Sequence, residues 1–133
     1  MICALDACVL LDVFIEDPEW TRPSRTLLES LAGISDFVIC PEVYAEVLPH
    51  APSSAFLDAV LSDFGLLVVA TDVAVARVAG EVWAQYRRAG GPRLRILTDF
   101  VVAAHALVHA DAFVTRDDGF FRSYFSDLTV ITP

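Results

Sequence analysis

The chain has 133 residues, 56% of them hydrophobic, with 18 acidic side chains against 9 basic ones and a formal charge of −9. That is enough apolar material for one domain with a sizeable core, and it excludes a disordered chain. The acidic balance excludes a protein that coats nucleic acid through a broad positive face.

In chain order, Ile2 to Asp6 reads as a buried strand, followed by a short helix from about Cys8 to Ile15. Pro18 opens a second helix to about Leu31, with Leu27, Leu28 and Leu31 on its apolar side, and Gly33 ends it. Asp36 to Cys40 is a second strand. Pro41 suits the first position of the next helix, which reaches Leu48 before Pro49 and Pro52 break it. Ser53 or Ser54 caps a helix through Leu61, and Leu66 to Val69 is a third strand. Thr71 or Asp72 caps a long helix to Arg88, with Val75, Val78, Ala79, Val82 and Tyr86 at helical spacing. Gly90-Gly91-Pro92 is a break. Thr98 or Asp99 opens a helix through His109, and Ala112 to Thr115 is a fourth strand. Asp117 to Tyr124 is a turn or short helix, and Leu128 to Ile131 a last strand. Strands alternating with amphipathic helices, without linker or repeat, predict a single α/β domain over residues 1–133 with a mainly parallel sheet.

All nine cations are arginine, because lysine is absent. This removes phosphate loops and Schiff-base chemistry that need a lysine, and with them a phosphoacceptor receiver domain. Cys3, Cys8 and Cys40 show no CxxC spacing and read as reduced thiols in apolar surroundings. No charge-free apolar run is long enough for a membrane span, and Asp6 and Asp12 interrupt the run that a signal peptide needs. A cytoplasmic protein with no membrane contact is expected.

In an open parallel sheet, ligands bind beyond the carboxyl ends of the strands. Asp6 closes the first strand there. Asp117 follows the fourth, Glu46 lies on the helix leaving the second, and Asp99 sits in the first turn of its helix. Acids gathered at one sheet edge repel unless a cation lies between them, and Mg²⁺ or Mn²⁺ suits such oxygen donors. Glu42 rivals Glu46 on the same helix face, and Asp118 rivals Asp117 as its neighbour. Asp12, Glu16, Asp17, Asp58, Asp63, Asp72 and Asp127 read as exposed or capping residues. Arg87, Arg88, Arg93 and Arg95 flank the glycine break, where Arg93 and Arg95 are candidates for contact with nucleic-acid phosphates. Arg116 is a candidate for the same role or for pairing with a neighbouring acid. His105 reads as packing and His50 as exposed. The aromatic group Phe120, Phe121, Tyr124 and Phe125 reads chiefly as core.

The segments LDACVLLDVF (Leu5–Phe14), VICPEVYAEVL (Val38–Leu48) and LTDFVVAAHALVHADAFVTRDDGFF (Leu97–Phe121) together resemble PIN domains. In particular they resemble the VapC-like toxins of type II toxin–antitoxin systems, and the likeness covers nearly the whole chain in order. It implies a three-layer PIN-like fold with helices flanking the sheet. It also implies a Mg²⁺- or Mn²⁺-dependent endoribonuclease, with Asp6, Glu46, Asp99 and Asp117 as metal-binding and catalytic acids. Its register selects Glu46 over Glu42 and makes Thr115 a lesser candidate beside the site. The implied products are a 5′-phosphate and a 3′-hydroxyl, and the implied partners are RNA, an antitoxin protein and a second copy of the chain. One departure stands out: the family usually carries a hydroxyl or amide residue just after the first Asp, and here Ala7 and Cys8 follow. A catalytically inactive PIN-like adaptor module is the alternative that this departure keeps in view.

Overall fold

The computed structural model describes residues 1–92 and 96–133. Five parallel strands form one sheet in the order β3-β2-β1-β4-β5. These are β1 (Ile2–Leu5), β2 (Asp36–Ile39), β3 (Leu66–Val68), β4 (Ala112–Val114) and β5 (Val130–Ile131). The helices are α1 (Ala7–Phe14), α2 (Thr21–Ala32), α3 (Pro41–Val47), α4 (Ser54–Asp63), α5 (Val73–Arg88), α6 (Leu97–His109) and α7 (Asp118–Tyr124). They flank the sheet in a three-layer α/β arrangement of the expected class.

The central strands are buried along almost their whole length, as parallel strands covered on both faces must be. Cys3, Ala4 and Leu5 of β1, Phe37, Val38 and Ile39 of β2, and all of β4 lie in the core. β3 is an edge, and Leu67 and Val68 are exposed on it. The chain runs outward from β1 through β2 to β3, then returns to the other side of β1 to lay down β4 and β5. The order therefore reverses between β1 and β4, where Ala4 pairs with Phe113 and Leu5 with Val114. The crevice beyond the carboxyl ends of these two strands is the place where such a sheet receives a ligand.

Local chemistry sets most boundaries. Ser53 caps α4 by accepting the Phe56 N–H at 3.1 Å, and Asp72 caps α5 by accepting that of Val75 at 3.0 Å. Pro41 takes the first position of α3. Where Pro18 was expected to open a helix, α2 begins at Thr21 instead. The Asp17 carboxylate accepts the N–H groups of Glu19 and Trp20, both at 2.9 Å, and holds residues 18–20 in a turn. The last strand is shorter than expected: the Leu128 N–H donates to the Phe125 carbonyl at 2.9 Å, which holds the chain in a turn before Val130.

Expected core residues fall inside. Val75, Ala79 and Tyr86 are the buried face of α5, and Phe121 and Phe125 are buried near the C-terminus. Cys3 and Cys40 are buried free thiols, while Cys8 is half-buried. His105 is buried in α6, with Nε2 2.8 Å from the Val69 carbonyl oxygen. Burial lowers its pKa, so the ring stays neutral as a packing residue. Among the described residues, no helix is long and apolar enough to cross a membrane.

Candidate active site

Asp6 is both the end of β1 and the N-cap of α1, with Oδ1 accepting the Ala7 N–H at 2.8 Å. Its other oxygen, Oδ2, accepts the Thr115 hydroxyl at 2.6 Å and the Cys8 thiol at 3.5 Å. Thr115 is fully buried just past β4, and its Oγ1 accepts the Asp117 N–H at 3.1 Å. One hydroxyl thus ties the ends of the two central strands together and fixes both acids. Asp99 lies in the first turn of α6, where its Oδ2 accepts the Ile96 N–H at 3.1 Å. It both closes the helix start and faces the crevice.

Asp6, Asp99 and Asp117 line one cavity of about 380 Å³, together with Cys8, Arg116 and Phe121. Glu46 stands exposed on α3 rather than in the cavity wall. Its pKa is raised by burial and by the charges of Asp6 and Asp99, which places it within electrostatic reach of both. Asp6 is itself raised by burial, against the lowering effect of its hydrogen bonds, with Asp99 adding to the rise.

The rivals have partners outside this group. Glu42 accepts the Thr71 hydroxyl at 2.7 Å. Asp118 pairs with Arg122 at 3.3 Å, one turn along α7. Arg93 and Arg95 lie outside the described residues.

Two residues take roles that were not expected. Cys8 fills the position where a hydroxyl or amide was expected, and its thiol is pushed up to about 11 by burial and the Asp6 charge. It therefore stays protonated and donates to Asp6. Asp12 corrects an expectation. It was read as exposed or capping, yet it is 2% exposed, accepts the Ser24 hydroxyl at 2.6 Å and pairs with Arg116 at 3.0 Å. The available signal was its place three residues after Val9, on the buried face of α1.

The donor set suits a hard divalent cation: carboxylate oxygens from separate elements, of which Asp6 and Glu46 are raised in pKa by burial and by neighbouring acid charges that a cation would relieve. Among the described residues, no three His, Cys, Asp or Glu side chains converge tightly enough to enclose an ion by themselves. An ion held by Asp6, Asp99 and Asp117 would need water to complete its shell, which Mg²⁺ ordinarily retains.

Asp6 also sets a pH dependence. A group whose folded pKa is raised above 3.8 lends stability that is complete at acid pH and lost as pH rises through the folded value. In metal-free buffer, Asp6→Asn is expected to be more stable than the parent at about pH 7, and the gap to shrink toward about pH 4. Urea unfolding of both proteins across this range checks it, and a gap independent of pH would contradict a buried charge at Asp6.

The PIN domain family model matches residues 3–125. No curated protein matches in sequence. Solved structures resemble the chain along its full length. VapBC2 from Rickettsia felis bound to a promoter DNA fragment gives a TM-score of 0.78 at 20% identity, covering 100% of this chain and 99% of that one. VapBC-1 from nontypeable Haemophilus influenzae gives 0.75 at 17% identity, covering 99% and 98%. A toxin–antitoxin complex from Klebsiella pneumoniae gives 0.72 at 18% identity, covering 98% and 97%. At these identities the structures speak for the fold, the family model spans most of the sequence, and the chain belongs to the PIN domain family.

Proposed function

We propose that this chain is a divalent-metal-dependent endoribonuclease and the toxin of a toxin–antitoxin pair, working in the cytoplasm as a homodimer. The observation that carries the reading is the meeting of Asp6, Asp99 and Asp117 in one cavity at the switch point of the sheet, with Glu46 in electrostatic reach. Mg²⁺ or Mn²⁺ would be held there by Asp6, Glu46, Asp99 and Asp117, with water completing the shell. When bound, such an ion supplies charge stabilisation for a phosphodiester undergoing hydrolysis. Thr115 keeps the Asp6 carboxylate aimed, as its hydroxyl donates to Oδ2. Glu46, exposed on α3 and within reach of the Asp6 and Asp99 charges, would add the fourth carboxylate.

The antitoxin reading draws on an apolar cavity of about 560 Å³ bordered by α1, α2 and α4, lined by residues such as Leu10, Phe14, Leu28, Leu57, Leu61 and Phe64. It suits an apolar segment of a partner protein. The solved structures similar to this chain are described as complexes of this kind. Exposed Leu67 and Val73 offer further apolar surface for a second copy to cover.

The test is direct. Mn²⁺ added to the purified chain is expected to raise its stability by about 2.7 kcal/mol at a hundredfold excess over Kd, read as a thermal shift. It is also expected to produce RNA fragments ending in 5′-phosphates. A second reading, an inactive PIN-like adaptor, is favoured by the Cys8 thiol lying on Asp6 Oδ2. Antitoxin binding without cleavage or thermal shift would select it.

A further inference from the structure

We propose that Arg116 is the residue that grips an RNA phosphate at the acid-lined cavity, and that Asp12, Ser24 and Trp20 are positioning residues that hold its guanidinium at the rim. The inference rests on the nuclease reading for the identity of the ligand. Three acids in one cavity repel a phosphodiester, so a substrate needs a cation beside them as well as between them. Among the described residues lining the cavity, Arg116 is the cation. It sits in sequence between Thr115, which aims Asp6, and Asp117, so its backbone is fixed at the wall that carries these acids.

A loose arginine in this place would fold onto the carboxylates and occupy the position a metal needs. The structure holds it back from two sides. Nη2 lies 3.0 Å from Asp12 Oδ1, and Cζ stands 4.9 Å from the centre of the Trp20 ring. Asp12 is locked in turn, because Oδ2 accepts the hydroxyl of the fully buried Ser24. Burying a carboxylate this deeply is costly, and replacing a buried ion pair with apolar residues of similar volume is often neutral or stabilising. The pair is therefore better explained by orientation. Asp12 takes one edge of a five-donor fork, and the Arg116 side chain remains 32% exposed, with donors left for phosphate oxygens.

The experiment measures binding of a single-stranded RNA oligonucleotide across a salt series, on an Asp99→Asn background so that the RNA stays intact. Adding Arg116→Gln is expected to weaken binding about tenfold and to lower the slope of log affinity against log salt by about 0.7, one phosphate contact on a single strand. Arg116→Lys should keep the slope and lose part of the affinity. In the otherwise unaltered protein, Asp12→Asn is expected to reduce the thermal shift given by Mn²⁺, because the released arginine turns toward the acids. The double variant Asp12→Asn, Arg116→Gln should restore that shift. A purely structural pair would not yield rescue by removing the arginine. If Arg116→Gln fails to fold over an unpaired Asp12, the double variant carries the same salt-slope test. Wild-type affinity and slope without Arg116, or no rescue in the double variant, overturns the proposal. Cleavage that persists with Asp99→Asn would instead count against the acid site, while the binding result still decides the role of Arg116.

Discussion

Asp99→Asn is expected to lower RNA cleavage by about 10²-fold or more, while the purified variant stays folded and, without metal, becomes no less stable than its parent. The two halves of this result have one cause. Asp99 adds to the upward shift of the buried Asp6 carboxyl and to that of Glu46, so its charge is a burden on the metal-free protein. Asparagine keeps a carbonyl oxygen to accept the Ile96 N–H, so the start of α6 loses little. What disappears is a hard anionic ligand facing the cavity, and with it the thermal shift given by Mn²⁺. The measurement pairs initial cleavage rates with thermal unfolding in chelator and in Mn²⁺. Cleavage at the parental rate with an undiminished Mn²⁺ shift would remove Asp99 from the site. A large loss of stability in chelator would mean that its charge serves the fold instead.

The sequence made the sheet legible because its strands are short apolar runs bounded by strong local signals. Pro41, Ser53, Asp72 and the Gly90-Gly91-Pro92 break each act through a few neighbouring atoms. Asp6 and Asp117 were legible as acids for a related reason: each follows a buried strand, and parallel pairing puts those strand ends on one edge. The turn at residues 18–20 was missed because Asp17 competes for backbone N–H groups that proline seemed ready to hand to a helix. Asp12 was misjudged because an acid in an amphipathic stretch ordinarily faces water. Its burial depends on Ser24 and on Arg116, more than a hundred residues away, and no local pattern carries that pairing. Cys8 also meets Thr115, whose hydroxyl lies 3.7 Å from its sulfur and is equally remote in sequence.

Phe100→Ala is expected to be severely damaging, costing about 3–5 kcal/mol of unfolding free energy. Phe100 is fully buried at the centre of an aromatic cluster. Its ring centroid lies 5.0 Å from Trp83, 5.2 Å from Tyr86 and 5.3 Å from Phe120, with the Trp83 and Phe120 rings meeting it edge-on. Edge-to-face pairs add to the area term, and alanine would forfeit both while leaving a void walled by rings from α5 and α7. The residue also follows Asp99, so the cluster that anchors the first turns of α6 to the body also holds a site acid at the cavity. Loss of this anchor should therefore weaken Mn²⁺ binding under conditions where the variant is still folded. Phe100→Leu, which refills much of the space, should recover a large part of both losses. Urea titration gives the stability term and the Mn²⁺ shift gives the second. A variant that loses stability but binds Mn²⁺ as the parent does would show that Asp99 is held by its own helix start, independently of the aromatic core.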